Sequence, residues 1–441
     1  MALKDFRAMM ERDSYCNSCK WIPYDKIRSQ RFAENCPTNL YYQFHLYSVR
    51  GKWQAAQTYL DTQEGTIRED GSGKDELIKQ YPYDFNTSPE FLESVQSCMA
   101  CGSCDVSCKV CRFNLEPLAF NIELKNEAIL RGFVLDTQKA ALESLKNEQT
   151  LIAGEKKADR KAWAEGINFA ADADTVFFPG CKYSYDPELK AYAKKACETL
   201  INAGVKLGYL GDLDICCAGR AYQQGFYDEF NARADANIKA FEAKGVKTIV
   251  TPCADCYHAF KRLYAARGMK VEVLHLVEYL DKLIKEGAIK FTKNVDMVVT
   301  YHDPCHLGRQ GEPFVEWHGT EKKIMNQVHT WDPPRPRYNG AHGIYDAPRD
   351  VIKAIPGVRL VEMERIREYA LCCGAGANTQ VNFPEFAQAT ANERVTEANS
   401  TGADALVTAC PWCESNFKNA VDENGNKIDV IDIIDLVARA L

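Results

Sequence analysis

The chain has 441 residues, 46% of them apolar and 26% charged, an ordinary balance for a globular protein of two to four domains. Its 54 basic against 61 acidic residues leave no basic footprint for a nucleic-acid partner, and no run of about 18 apolar residues reads as a transmembrane segment. The charged start MALKDFRAMMERDSYC lacks the apolar stretch of an export signal, so the expected setting is cytoplasmic, and nineteen cysteines there argue for thiolate chemistry rather than disulfides.

Residues 1–115 read as loop-rich and hold the first cysteine group. Cys98, Cys101, Cys104 and Cys108 give Cys-x2-Cys-x2-Cys-x3-Cys, the bacterial 4Fe-4S run, with Lys109 where proline is usual. A partner run is degenerate: Cys16 and Cys19 have the right spacing, Ile22 stands where the third cysteine belongs, and Cys36-Pro37 closes it late. In two-cluster ferredoxins the fourth cysteine of each run serves the other cluster. That rule gives Cys98, Cys101, Cys104 and Cys36 to one cubane and leaves Cys16, Cys19 and Cys108 to a second, completed by Cys111. One cubane beside a zinc or unliganded set around Cys16 is the alternative.

Residues 116–170 read as a helical, charged connector, and 171–290 as a first α/β domain. TVFFPGC is a short strand ending at Cys181, followed by the amphipathic helix DPELKAYAKKACETLINAG, in which Cys197 reads as a buried filler. VKLGYLG, then Cys216-Cys217, a long helix, and the strand VKTIVTPC follow. Residues 291–441 repeat the order with DMVVTYHDPC, PRDVIKAIPG, VRLVEME, LCCGAG, another long helix and ALVTACPWC. Even the tails VEVLHLVEYLDKLIKEG and IDVIDIIDLVARAL agree. Such alternation implies parallel sheets in two pseudo-symmetric lobes, with ligands beyond the carboxyl ends of the strands. An insertion at 310–342, rich in Trp317, His318, Trp331, Arg335, Arg337 and Tyr338, reads either as a partner-binding face or as a lid on its own lobe.

Ten cysteines thus fall into one five-cysteine pattern written twice: Cys181, Cys216-Cys217, Cys253 and Cys256, then Cys305, Cys372-Cys373, Cys410 and Cys413. Packing needs no such register, whereas thiolate ligands do. With the string YHDPCHLGR from Tyr301 to Arg309, the pattern over about 172–441 resembles the CCG-domain family, which includes the B and D components of heterodisulfide reductase, iron-sulfur subunits of glycolate, lactate and glycerol-3-phosphate dehydrogenases, and a component of class II benzoyl-CoA reductase complexes. The resemblance implies a noncubane 4Fe-4S cluster at each complete motif. The expected fold class is therefore α/β, an N-terminal ferredoxin-like 4Fe-4S domain plus two pseudo-symmetric CCG lobes, carrying two cubane and two noncubane clusters, with zinc possible in place of one.

One departure is Ala218, where the family has the glycine that Gly374 supplies in the second copy. His302 and His306 flank Cys305 and are candidate proton or hydrogen-bond donors to a departing thiolate, with strand-end capping as the bland alternative, while Asp303 and Arg309 read as loop anchors. No GxGxxG opens a helix and no Walker loop occurs, so electrons are expected to come from a flavin-containing or other donor subunit and to pass to an acceptor reductase or quinone-linked subunit. The implied function is an iron-sulfur electron-transfer subunit of an oxidoreductase complex. Its alternatives are a catalytic disulfide reductase and a zinc-bound scaffold.

Overall fold

A computed structural model describes residues 2–14, 16–64, 82–109, 115–324 and 328–441. Two four-stranded parallel sheets dominate the second half of the molecule. In the first lobe β1 (Thr175–Phe177), β2 (Leu207–Tyr209), β3 (Thr248–Thr251) and β4 (Glu272–His275) lie in the order β2-β1-β3-β4. The second lobe contains β5 (Met297–His302), β8 (Val358–Leu360), β9 (Ala405–Thr408) and β10 (Asp429–Asp432), ordered β10-β9-β5-β8. By position along each lobe these are one order, so the repeat read from the cysteines is a repeat of topology. The central strands are short apolar runs because helices cover both faces; β9 is buried along its whole length.

The lobes pack helix against helix. Lys190–Asn202 of the first lies against Ile433–Ala440 of the second, and Leu276–Lys285 of the first against Asp346–Ala354 of the second. Lys195–Asp435 and Lys285–Asp350 ion pairs flank these contacts. Inside, Tyr183 donates its hydroxyl to Asp432, which also caps the last helix by accepting from the Ile434 amide at 2.8 Å. Cys197 is fully buried in its helix, as its apolar face suggests.

The described N-terminal residues are helical rather than loop-rich, and their only β pairing is the isolated bridge Trp21–Glu34. Val49, Trp53, Ala56 and Leu60, spaced at helical intervals on the helix Val49–Glu64, are buried together with Phe6, Phe91 and Phe120. Phe120, Leu124 and Ala128 come from Pro117–Leu130, so a helix whose sequence reads as connector completes the N-terminal core.

The insertion forms an antiparallel hairpin, β6 (Thr320–Ile324) and β7 (Val328–Asp332), whose first strand is exposed throughout. Its foot is held by both neighbours: Arg262 of the first lobe lies 3.7 Å from the centre of the Tyr338 ring, and Lys109 donates to the Tyr338 carbonyl. Arg335 pairs with Glu116 at 3.4 Å.

Candidate metal centre

Strand order explains why the cysteines meet. In each lobe the chain leaves the two central strands in opposite directions, and the crevice beyond their carboxyl ends is where parallel sheets bind ligands. Cys181 follows β1 and Cys253 follows β3; Cys305 follows β5 and Cys410 follows β9. The cysteine pairs arrive on the loops after β2 and β8. Gly180, at φ +77°, lets the Cys181 loop pass close to Cys253 and Cys256: a Cβ there would stand 2.9 Å from the Cys256 sulfur.

All ten motif cysteines are buried free thiols. Hydrogen-bond contacts run from Cys181 to Cys216, Cys217, Cys256 and Cys253, then across the lobe boundary to Cys410, and on through Cys413, Cys373 and Cys372 to Cys305. In each lobe the second cysteine of the pair is acidified: hydrogen bonds from Cys216 and Cys256 bring Cys217 down to about 5, and those from Cys372 and Cys413 do the same for Cys373. Burial pushes Cys410 up, but hydrogen bonds from Cys253 and Cys413 outweigh it and hold the thiol well below its ordinary value. In each lobe these contacts favour the thiolate, the form that binds metal.

The residue after each pair explains the Ala218 departure. Ala218 adopts φ 53° with its backbone amide 3.3 Å from the Cys216 sulfur, so alanine accepts the left-handed conformation there. Gly374, at φ +95°, has no such latitude: a Cβ would lie 2.4 Å from the Ala387 carbonyl oxygen and 2.6 Å from Asn416 Nδ2, which donates to the Cys373 carbonyl. Gly374→Ala is therefore expected to cost about 1–3 kcal/mol and to lower metal content at the second motif, whereas Ala218→Gly should stay within about 1 kcal/mol of wild type. Thermal denaturation with metal analysis of both variants checks the contrast.

The N-terminal cysteines form two groups. Cys36, Cys98, Cys101 and Cys104 lie close enough for their charges to interact, and burial pushes Cys36 up to about 11. Cys19 is hydrogen-bonded to Cys108, which also lies near Cys104. Cys16 is exposed, unlike every other described cysteine, and Cys111 lies outside the described residues. The contacts join Cys36 with Cys98, Cys101 and Cys104, and Cys19 with Cys108. Cys101 also touches Cys372, so the first group abuts the second lobe's motif.

Buried cations accompany these thiols. Arg160 places Nη1 3.3 Å from the Cys181 sulfur and Nη2 2.9 Å from Asp214. Arg309 donates to the carbonyls of Cys101 and Ala370, and its charge faces Cys101, Cys305 and Cys372. Lys125 donates to the Cys98 carbonyl at 2.5 Å, and burial lowers it to about 8. Unpaired guanidinium nitrogens remain on Arg160, Arg220 and Arg309. Buried cations need compensating negative charge, which a thiolate-bound iron-sulfur group supplies; with five thiols per lobe, the donor set fits such a group. Arg160 stands in a stretch whose charges read as solvated, yet Arg160 and Trp163 are both buried three residues apart on one helical turn. That spacing is the available signal.

Asp303 accepts both arms of Arg349, at 2.7 and 2.9 Å, and the Arg367 amide, which makes it a loop anchor. Arg309 ties the second motif to the N-terminal loop. His306 Nδ1 lies 2.8 Å from Asp255 and 3.4 Å from the Cys305 sulfur, bridging the lobes. Burial works against the Asp255 carboxylate, but His306 and Arg220 hold it well below the usual carboxylate range. The Arg220 guanidinium carbon in turn lies 3.4 Å from the ring centre of Trp412, between Cys410 and Cys413.

Residues 175–261 and 336–418 match the family described as the cysteine-rich domain, CCG. The second match begins at residue 336, within the insertion and past its hairpin, so Cys305 lies outside it. Over 360 residues the chain is 31% identical to the D component of the dihydromethanophenazine:CoB–CoM heterodisulfide reductase of Methanosarcina barkeri, covering 80% of this chain and 79% of that protein. It is 25% identical to the probable iron-sulfur-binding oxidoreductase FadF of Bacillus subtilis, over 89% of this chain and 53% of FadF. Identity to the EtfAB:quinone oxidoreductase of Syntrophomonas wolfei is 29%, over 64% of this chain and 37% of that protein.

Proposed function

Because the chain belongs to the family of iron-sulfur oxidoreductase subunits built on the cysteine-rich CCG domain, we propose that it is an electron-relay subunit with four cluster sites in line. The order runs from Cys16, Cys19, Cys108 and Cys111, to Cys36, Cys98, Cys101 and Cys104, then to the second-lobe motif, and last to the first-lobe motif. The observation that carries this reading is the series of thiol contacts from Cys101 to Cys372, on through Cys373 and Cys413 to Cys410, across to Cys253, and through Cys256, Cys217 and Cys216 to Cys181. When bound, the clusters supply one-electron redox capacity, cubane at the two N-terminal sites and noncubane in the lobes. The chain's own residues bury the thiolates, balance their charge with Arg160, Arg309 and Lys125, and hold neighbouring sites in register.

Electrons exchange with a partner at the N-terminal end in this reading, because Cys16 is the exposed one among the described cysteines and Trp21 and Tyr24, a few residues further along the chain, are exposed aromatics. The relatives' names speak of heterodisulfide and quinone oxidoreductases, which supports a multisubunit redox complex with a flavin-containing or quinone-linked partner. No helix among the described residues is long and apolar enough to cross a membrane. Anoxically purified protein is expected to be brown with about sixteen irons and little zinc. About eight irons with two zincs would overturn the four-site order, and a colourless protein would turn it into a zinc scaffold.

A second reading, disulfide cleavage at the second motif, draws support from the His306–Asp255 pair beside Cys305, which could serve a departing thiolate. A new paramagnetic signal on adding a physiological thiol to oxidised protein, lost in Cys372→Ser, would favour it over the relay.

A further inference from the structure

The two lobes differ at a position that faces the thiols directly. His302 ends β5 three residues before Cys305, and Phe178 occupies the same place before Cys181. His302 is 1% exposed, and its ring meets Phe417 edge-on at 4.8 Å. Its Nδ1 accepts from Arg394 Nε at 3.2 Å, while Nε2 has no hydrogen-bond partner. A ring nitrogen of His302 and the sulfurs of Cys373 and Cys413 all lie within 4.8 Å of one another. The His302 ring therefore lies beside the Cys373–Cys413 edge of the second motif with its Nε2 unpartnered, where the first lobe has a phenyl ring at the same strand position.

Arg394 determines what that nitrogen can do. Arginine only donates, so Nδ1 must present its lone pair and a neutral ring carries its proton on Nε2. A ring nitrogen bearing a proton has no lone pair for iron, and a buried N–H without an acceptor is costly.

We propose that His302 donates its Nε2 hydrogen to sulfur at the Cys373–Cys413 edge of the second-lobe cluster, acting as a positioning residue that raises that cluster's reduction potential. The inference rests on the reading that the second motif holds an iron-sulfur cluster. Hydrogen bonds to cluster sulfur are a principal lever on potential. Buried arginines serve both lobes, Arg160 at Cys181 and Arg309 near Cys305 and Cys372, so His302 in place of Phe178 is a difference between the lobes that those cations do not supply.

His302→Phe copies the first lobe's arrangement into the second and tests this. In protein with full iron, the second-lobe potential should fall while the first-lobe potential stays, and the exchangeable deuteron coupling seen by ENDOR after transfer to heavy water should disappear from that cluster. His302→Gln, which keeps an N–H donor, should restore part of the shift. An unchanged second-lobe potential, or equal shifts in both lobes, would overturn the proposal. Wild type carrying 15N-labelled histidine should show only weak nitrogen coupling at this cluster. The strong coupling of a bonded ligand would overturn the donor role even if every variant failed to fold. Absence of iron from the second motif in wild type would instead sink the cluster reading on which the proposal stands.

Discussion

Replacing Cys101 by serine is expected to remove about four of about sixteen irons and to slow reduction of the lobe clusters by a protein donor at least tenfold or so, on the order of what disrupting a metal site's support costs. The reason is position. Cys101 belongs to the group with Cys36, Cys98 and Cys104 and also touches Cys372, so it stands at a junction between the N-terminal sites and the lobes. Arg309 and Gln310 hold that junction by donating to the Cys101 and Ala100 carbonyls at 2.7 and 3.0 Å. Gly376 packs so closely that a Cβ would lie 2.2 Å from the Met99 carbonyl oxygen. A small reductant that reaches the lobes directly should still reduce their clusters. Stopped-flow reduction by a protein donor and by dithionite separates the two routes, and equal rates with the protein donor in wild type and variant would break the proposed order.

Glu397→Ala is expected to destabilise the fold by about 3–5 kcal/mol, the usual result of stripping the partner from buried charges. Glu397, Arg365 and Arg394 are all fully buried. Arg365 Nε reaches Glu397 at 2.8 Å and Arg394 Nη1 reaches it at 2.6 Å, so alanine would leave two guanidiniums without their shared anion. Arg365 also donates to the Glu34 carbonyl, two residues before Cys36, which extends the damage to the N-terminal domain. Burial pushes the Glu397 carboxyl up, but Arg394 and Arg365 bring it below its ordinary value. The sign follows: this stabilisation is present above the unfolded carboxylate pKa, about 4.3, and is lost as the pH falls below it. Urea unfolding at neutral and acid pH should show the gap between wild type and variant narrowing with acid. A gap that stays constant would place the stabilisation elsewhere.

Much of the lobe architecture is legible in the sequence because parallel strands announce themselves as short apolar runs between amphipathic helices. TVFFPGC, VKTIVTPC and ALVTACPWC each contain a strand that stops just before its cysteine. The N-terminal domain is harder to read. Its stripe Val49, Trp53, Ala56 and Leu60 is interrupted by Gly51 and Lys52, and Lys52 is buried, donating to the Tyr47 carbonyl, so polar residues sit where the pattern expects solvent. Arg160 is obscured for the same reason: a buried charge looks exposed until its distant partner, here Cys181, is known. The insertion's ambiguity also has a physical origin. Its foot, from Tyr338 to Gly340, packs as a lid would, while the first strand of its hairpin is exposed as a docking arm would be, and one composition serves both.

The helix-on-helix packing between the lobes carries a mechanical consequence. A hinge opening would have to part Lys190–Asn202 from Ile433–Ala440 and Leu276–Lys285 from Asp346–Ala354 together, along with the buried Tyr183–Asp432 bond. Such a frame resists separation of Cys253 from Cys410. In a relay of the kind proposed, such a frame would hold the spacing between the two lobe sites nearly constant, so that little nuclear rearrangement would accompany each electron.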